Sequence, residues 1–484
     1  MHDRTEGLGI RDIGISSVIY IVGDVLTRGI SFLLIPFYTQ VLTPAEYGNF
    51  GVLLSFISFL NILFSFQLGS ALTVNFFRTK HEQRTRLIST IWLLILIFSV
   101  CMSILFLIGA EWVGMLFQGI ANYDFLLVVG VSFFVTFSIV PQTLLRLRQQ
   151  ALKLVSVSVF IYLLGVVAGI FHVVRYDSGE TGLLLGMFFA NLFSVIPYIV
   201  ILKNDIRITF SKKLAYQSLL ISLPILPHML SHWGLNLMDR VILQAYLPLS
   251  DVGIYHLGYQ LGAAFQIIVI AINNAWTPFF LENFSQPSKW QSIKYFSSWL
   301  VFIQIWIALF LVLFLPMIVR LVFSDEYFTS AIVIPWVVLG FVFVVFYQYW
   351  INILLYFKKT SLIPIATGIS ALVNLTLNLV LVPRYGYIAA AINTVIGYAV
   401  LAGLTYFLAA KISNFSFEYI RWIKASTAGV IIFYLTAVVD STTLFMSVLV
   451  KSILFFSFPL FLYLFSFWRR DELKNVYLQL RKRF

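Results

Sequence analysis

Three fully charged residues stand inside otherwise apolar runs of this chain: Asp24, Arg28 and Lys451. A charge near the centre of a bilayer costs about 2.5–3.5 kcal/mol on insertion scales, so such residues persist where a partner or a hydrated cavity receives them. Asp24 and Arg28 are four positions apart, share one helical face and can form a pair that lowers this cost. The bland alternative is that they only neutralise each other or pack their helix. His228 and His232 are likewise four apart in a later apolar run. Histidine titrates near pH 6.5, so this pair can carry protons or, once protonated, contact phosphate; the alternative is helix-packing hydrogen bonds. Asn374 and Asn378 repeat the spacing and can meet sugar hydroxyls or join helices to one another.

The elements that position these residues are apolar segments of about 20 residues, the length needed to cross a hydrocarbon core of about 30 Å. Fourteen are readable, near 14–37, 48–70, 87–110, 125–145, 154–174, 182–202, 216–238, 252–278, 296–318, 330–352, 362–382, 386–409, 425–439 and 444–468. Arg421, Lys424 and Asp440 crowd the ends of the thirteenth. Threaded back and forth, the chain puts 26 of its 32 Lys and Arg in the tails and the loops after even-numbered segments, and 4 in the odd-numbered loops. The positive-inside rule then places both termini in the cytoplasm. We call the two ends of the segments the even end and the odd end.

With 60% hydrophobic and 11% charged residues, the composition is that of an all-α polytopic membrane protein. No loop is large enough for an appended catalytic domain, and the first apolar run is too long for a cleaved signal. Cys101 is the single cysteine, which excludes an intrachain disulfide and cysteine metal sites. The net charge of +12 is explained by basic loops facing an anionic leaflet, without nucleic acid. Membrane lipids are therefore expected partners, and the tail WRRDELKNVYLQLRKRF from Trp468 reads as a surface-lying basic anchor.

The chain also repeats itself. QVLTPAEYGNFGVLL from Gln40 matches QAYLPLSDVGIYHLG from Gln244, aligning Pro44 with Pro248 at an offset of 204 and Gly48 with Gly253 one residue later. Weaker echoes, WVGMLFQ ending at Gln118 with IVRLVFS ending at Ser324, and VVRYDSGETGLL from Val173 with LVPRYGYIAA from Leu381, fall near that offset. Six helices form the unit, and six is even, so the units share their orientation, as in parallel-repeat transporters. The expected layout is a cytoplasmic tail 1–13, a first lobe 14–210, a second lobe 211–410, two extra helices within 411–468, and a basic cytoplasmic tail 469–484. The same offset carries Asp24 and Arg28 onto His228 and His232.

RGISFLLIPFYTQVLTPAEYGNFGVL from Arg28 resembles the opening signature of polysaccharide exporters of the MOP (multidrug/oligosaccharidyl-lipid/polysaccharide) superfamily. NLTLNLVLVPRYGYIAAAINTVIGYAV from Asn374 and RLVFSDEYFTSAIVI from Arg320 are similar to two later helix junctions of that family, although Ala389 stands where it often has Gly. The resemblance covers nearly the whole chain. It implies a flippase that moves undecaprenyl-pyrophosphate-linked repeat units, of O-antigen or exopolysaccharide, from the cytoplasmic to the periplasmic leaflet of the bacterial inner membrane. Lipid II flippases and multidrug cation antiporters are the rival transporter branches, and a membrane polysaccharide polymerase or ligase is a distant third class.

On that reading Arg28, His232, Asn374 and Asn378 would bind substrate, Asp24 and His228 would respond to a coupling H+ or Na+, and Lys451 would meet lipid phosphate or snorkel to the interface. Asp239 and Arg240 are expected to cap or snorkel at the end of the seventh segment. The resemblance implies a hydrophobic groove for the polyprenyl tail beside helices 13 and 14, and a polysaccharide polymerase and chain-length proteins as partners. The sequence contains no P-loop, nucleophile elbow or HExxH motif, so neither an enzyme nor a cofactor or metal is expected.

Overall fold

The computed structural model describes residues 10–116, 122–438 and 443–468, without the side chains of 10–18, 21, 24, 115, 116, 437 and 438. The expected basic tail 469–484 and the Asp24 side chain lie outside the described residues. The helices are α1 (Ile10–Val41), α2 (Pro44–Ser65), α3 (Leu68–Phe76), α4 (His81–Ile108), α5 (Ala110–Leu116), α6 (Asn122–Leu147), α7 (Ala151–Tyr176), α8 (Gly179–Leu202) and α9 (Lys212–Ser222). They continue as α10 (Ile225–Tyr246), α11 (Leu249–Asn283), α12 (Trp290–Val322), α13 (Val333–Tyr356), α14 (Leu362–Tyr385), α15 (Tyr387–Ile412), α16 (Tyr419–Val438) and α17 (Leu444–Leu464). No strand occurs among the described residues.

Each of the fourteen apolar segments overlaps helix among the described residues. Twelve helical stretches among the described residues are long and apolar enough to cross a membrane, which makes this a multi-pass membrane protein. α1 qualifies only over the shorter Val25–Val41, and α16 is not among the twelve. Arg421 and Lys424 in the first turns of α16 shorten its apolar stretch.

Two segments expected to be continuous are broken. The second divides where Phe66 and Gln67 take left-handed conformations, with φ of 44° and 54°, between α2 and α3. Such conformations cost about 1–3 kcal/mol each in non-glycine residues, and here the Gln67 N–H donates to Ser65 Oγ at 3.3 Å. The seventh divides between α9 and α10 at Leu223 and Pro224, where the proline ring lacks the N–H a continuous helix needs.

The turn that opens α2 follows local chemistry closely. Thr43 is the N-cap, Pro44 occupies the first turn, and Glu46 completes a capping box: Thr43 N–H donates to Glu46 Oε2 at 2.7 Å, and Glu46 N–H donates to Thr43 Oγ1 at 3.3 Å.

The chain forms two compact units, Met1–His256 with Val382–Tyr387, and Leu257–Leu381 with Ile388–Phe484. In the first, α8 packs between α6 and α7, α2 lies against α6 and α10, and α1 leans on α7. Ser31 Oγ of α1 and the Tyr162 hydroxyl of α7 are 2.6 Å apart. A core of Leu68, Leu72, Leu87, Ile88, Ile91, Val140 and Leu144 binds α3, α4 and α6 together. In the second unit α12 is the central element, touching α13, α16 and α17. Its Phe302 ring stacks on Phe458 of α17, and Trp306 Nε1 donates to Phe455 O at 3.2 Å. Broad apolar faces such as Phe160, Val167, Phe171 and Val174 of α7 stay exposed, as lipid-facing surfaces do.

Candidate functional site

The polar face of α10 is the organising feature of the first unit. His228, His232, Asn236 and Arg240 recur every fourth residue and so form one stripe along the helix. The stripe closes at its odd end: His228 is half-buried, His232 exposed and Asn236 half-buried, whereas Arg240 retains 2% exposure. Backbone carbonyls link successive members, since Asn236 Nδ2 donates to His232 O at 2.8 Å and Arg240 Nη1 donates to Asn236 O at 2.9 Å.

At the odd end of α10 the stripe closes into a buried network. Arg240 Nη1 donates to Asp239 Oδ1 at 2.9 Å, and Arg240 Nε donates to His256 Nδ1 at 3.1 Å. The Tyr255 hydroxyl donates to the other Asp239 oxygen. Asp239 and His256 are 2% and 4% exposed, so the expectation that Asp239 and Arg240 cap or snorkel is corrected. Pairing explains their depth, because a buried charge is tolerated when an opposite charge and hydrogen bonds compensate its lost hydration. Tyr47 of α2 packs its ring 5.1 Å from the His256 ring, and Trp233 Nε1 of α10 donates to Ser55 O of α2 at 2.9 Å.

The repeated glycines meet beside this network. A Cβ on Gly48 would lie 2.6 Å from Gly253 N, and one on Gly253 would lie 2.8 Å from the Pro44 carbonyl carbon. Only glycine permits that approach of α2 to the first turn of α11. The two turns whose sequences match therefore touch each other at the matching position.

The predicted site residues fall into separate places. Arg28 is exposed on α1, on the helix that also exposes Val25 and Leu33. Asn374 and Asn378 are buried in the second unit. Asn378 Nδ2 donates to Asn374 Oδ1 at 3.1 Å, and Asn393 Nδ2 donates to Asn378 Oδ1 at 3.0 Å. This ladder joins α14 to α15, and at 2% and 0% exposure its first two members present no surface to a sugar in this conformation. Lys451 is half-buried on α17, with Arg320 of α12 as a charged neighbour.

Asn236, Asp239, Arg240, Tyr255 and His256 were not singled out as site residues by sequence. The signal that could have found the first and third is the four-residue spacing that continues from His228 and His232. Among the described residues no three His, Cys, Asp or Glu side chains come together as a metal would require.

The second unit holds an apolar cavity of about 410 Å³ between α12, α13 and α16. Its walls include Ile305, Val312, Trp336, Leu339 and Phe433, and Gly429 keeps the α16 wall low. The expected groove involved helices 13 and 14; α16 contributes here, and the α17 residues do not line it.

Comparison with known proteins gives this geometry a context. Residues 14–284, more than half of the chain, match the family described as polysaccharide biosynthesis protein. The chain is 24% identical over 422 residues to Lsg locus putative protein 1 of Haemophilus influenzae, spanning 82% of this chain and 98% of that protein. Its fold is that of the lipid II flippase MurJ in an inward closed conformation, with 15% identity, a TM-score of 0.73, and coverage of 92% of this chain and 99% of that one. An inward-facing multidrug resistance MATE family transporter of the MOP superfamily shares the fold at 16% identity and a TM-score of 0.62, over 84% and 96% of the two chains. The chain belongs to the polysaccharide biosynthesis protein family.

Proposed function

We propose that this protein flips undecaprenyl-pyrophosphate-linked oligosaccharide repeat units, of an O-antigen or exopolysaccharide, from the cytoplasmic to the periplasmic leaflet of the bacterial inner membrane. The observation that carries this reading is family membership: a multi-pass chain of a polysaccharide biosynthesis family, with a fold otherwise solved in a flippase and in transporters. A lipid-linked sugar has an anionic head and an apolar tail, and two features suit those parts. Arg28, open on α1, is a permanent cation able to grip a phosphate with its planar fork. The cavity between α12, α13 and α16 offers an apolar berth for prenyl units.

Movement would follow alternating access between the two repeats, with His228 and His232 on α10 and Asp24 on α1 responding to H+ or Na+. The contact of Gly48 with Gly253 would close the periplasmic end while the carrier loads from the cytoplasm. The loaded lipid would come from, and pass to, membrane enzymes that build and polymerise the repeat unit.

Deletion of the chromosomal gene with plasmid complementation tests the reading. Viable cells that lose surface polymer, and regain it with wild type but not with Arg28→Ala, are the expected result. Lysis on deletion would instead assign lipid II as cargo, and unchanged polymer with new drug sensitivity would assign drug export.

A further inference from the structure

The first unit contains a charged cavity, at the even end, that neither the stripe nor the network uses. It encloses about 70 Å³ between the end of α3, the first turns of α4, Arg148 after α6 and Asp205 after α8. Arg84, Arg148, His81 and Thr85 supply polar walls, and Phe76 and Ile88 supply apolar ones.

Arg84 is the residue that makes this more than a topology anchor. A loop arginine whose whole role is to hold the chain on one side of the membrane can reach freely into water. The guanidinium of Arg84 instead lies over the Phe76 ring, 4.7 Å from its centre, in cation–π contact. Its Nε is buried without a hydrogen-bond acceptor, which leaves a donor unsatisfied on a residue of the cavity wall.

The other groups complete an anion site. Arg148 is clamped in place by both oxygens of Asp205, one at 2.8 Å from Nη1. That carboxylate offsets one of the two arginine charges, so the cavity keeps a net cation and a rigid fork. The cavity opens at the N-terminus of α4, a 28-residue helix whose N-cap Lys80 makes no side-chain cap bond, so the positive end of its dipole adds to the field. The volume suits one small oxyanion and is far below the roughly 300 Å³ at which pockets begin to hold sugars or nucleotides. Arg78 and Lys80 just before α4, Arg86 in its second turn and Arg207 after α8 add further basic residues at the same even end, the end expected to meet anionic headgroups.

We infer that this cavity binds a single phosphate group carried on a membrane lipid, with Arg84 as its principal donor, Thr85 as a hydroxyl donor and Arg148 as a pre-positioned second cation. Anionic phospholipid and the phosphate of a polyprenyl carrier share this chemistry. The inference does not depend on what the chain transports.

Thermal unfolding of the purified full-length protein in neutral detergent tests it, titrated in separate arms with phosphatidylglycerol, phosphatidylcholine, undecaprenyl pyrophosphate and inorganic phosphate. Phosphatidylglycerol is expected to raise the unfolding midpoint of wild type, and Arg84→Met, which keeps the stem packed, should need about tenfold more lipid for the same rise. Lys359→Gln, in an even-end loop of the other unit, should titrate like wild type. Arg84→Lys keeps the charge without the fork and should fall between the two; it carries the test if Arg84→Met does not fold. An Arg84-dependent response at lower concentrations of undecaprenyl pyrophosphate than of phosphatidylglycerol would assign the same site to the carrier lipid. Superimposable lipid titrations for wild type, Arg84→Met and Arg84→Lys would overturn the inference, as would equal stabilisation by phosphatidylcholine.

Discussion

Replacing Gly48 with alanine should pry apart the odd ends of α2 and α11. The added Cβ would stand 2.6 Å from Gly253 N and 3.2 Å from Gly253 Cα. Both are backbone atoms and cannot rotate away. Ordinary contact needs about 3.5 Å, so the helices must separate by about 1 Å. Overpacking of this kind costs about 1–3 kcal/mol, which shifts an equilibrium between closed and parted ends by about 5- to 150-fold. Val252, one residue before Gly253 and 0% exposed, reports the change. In a Cys101→Ser background, a cysteine placed at Val252 in the purified protein should react with a maleimide about 5- to 150-fold faster when Gly48→Ala is added. Gly114→Ala, with no heavy atom within 4 Å of its added Cβ, serves as the control and should leave the rate unchanged. Equal labelling rates and equal unfolding midpoints for the Gly48→Ala protein and its parent would refute the reasoning.

Arg240→Met should destabilise the protein by about 3–5 kcal/mol, because it strands the buried Asp239 carboxylate, and adding Asp239→Asn should restore part of the loss in chemical unfolding. Asn378→Leu, which cuts the ladder between α14 and α15, should lower stability by about 0.6–1.7 kcal/mol while surface polymer persists; loss of polymer at a normal level of folded protein would return Asn378 to the substrate site. Thr43→Ala removes the cap of α2 and should cost about 1 kcal/mol, read as a lower unfolding midpoint.

Much of the framework is legible in the sequence because a bilayer imposes one simple rule, about 20 apolar residues per crossing, and twelve helical stretches among the described residues meet it. The breaks are less legible. Pro224 is a visible signal for the seventh segment, but Phe66 and Gln67 adopt left-handed backbone with no glycine or proline to announce it. The repeat is readable from Pro44, Pro248, Gly48 and Gly253, whereas their mutual contact depends on tertiary approach that no offset encodes. Asp239 and Arg240 mislead for a related reason. Ending the seventh segment at residue 238 treats the first charge as the water boundary, but α10 runs on to Tyr246 because the pair neutralises itself against Tyr255 and His256. Asn374 and Asn378 show the reverse: their shared face is legible, and the partner that occupies it, Asn393, lies on the next helix.

The most direct test of the central claim is translocation by the purified protein in proteoliposomes. A fluorescent undecaprenyl-pyrophosphate oligosaccharide in the inner leaflet would be followed by its accessibility to an external glycan-cleaving enzyme, for wild type and Arg28→Ala. The account predicts protein-dependent exposure of the lipid-linked sugar and its loss in Arg28→Ala reconstituted to the same level. Exposure no faster than in empty liposomes, or equal exposure with both proteins, would contradict it.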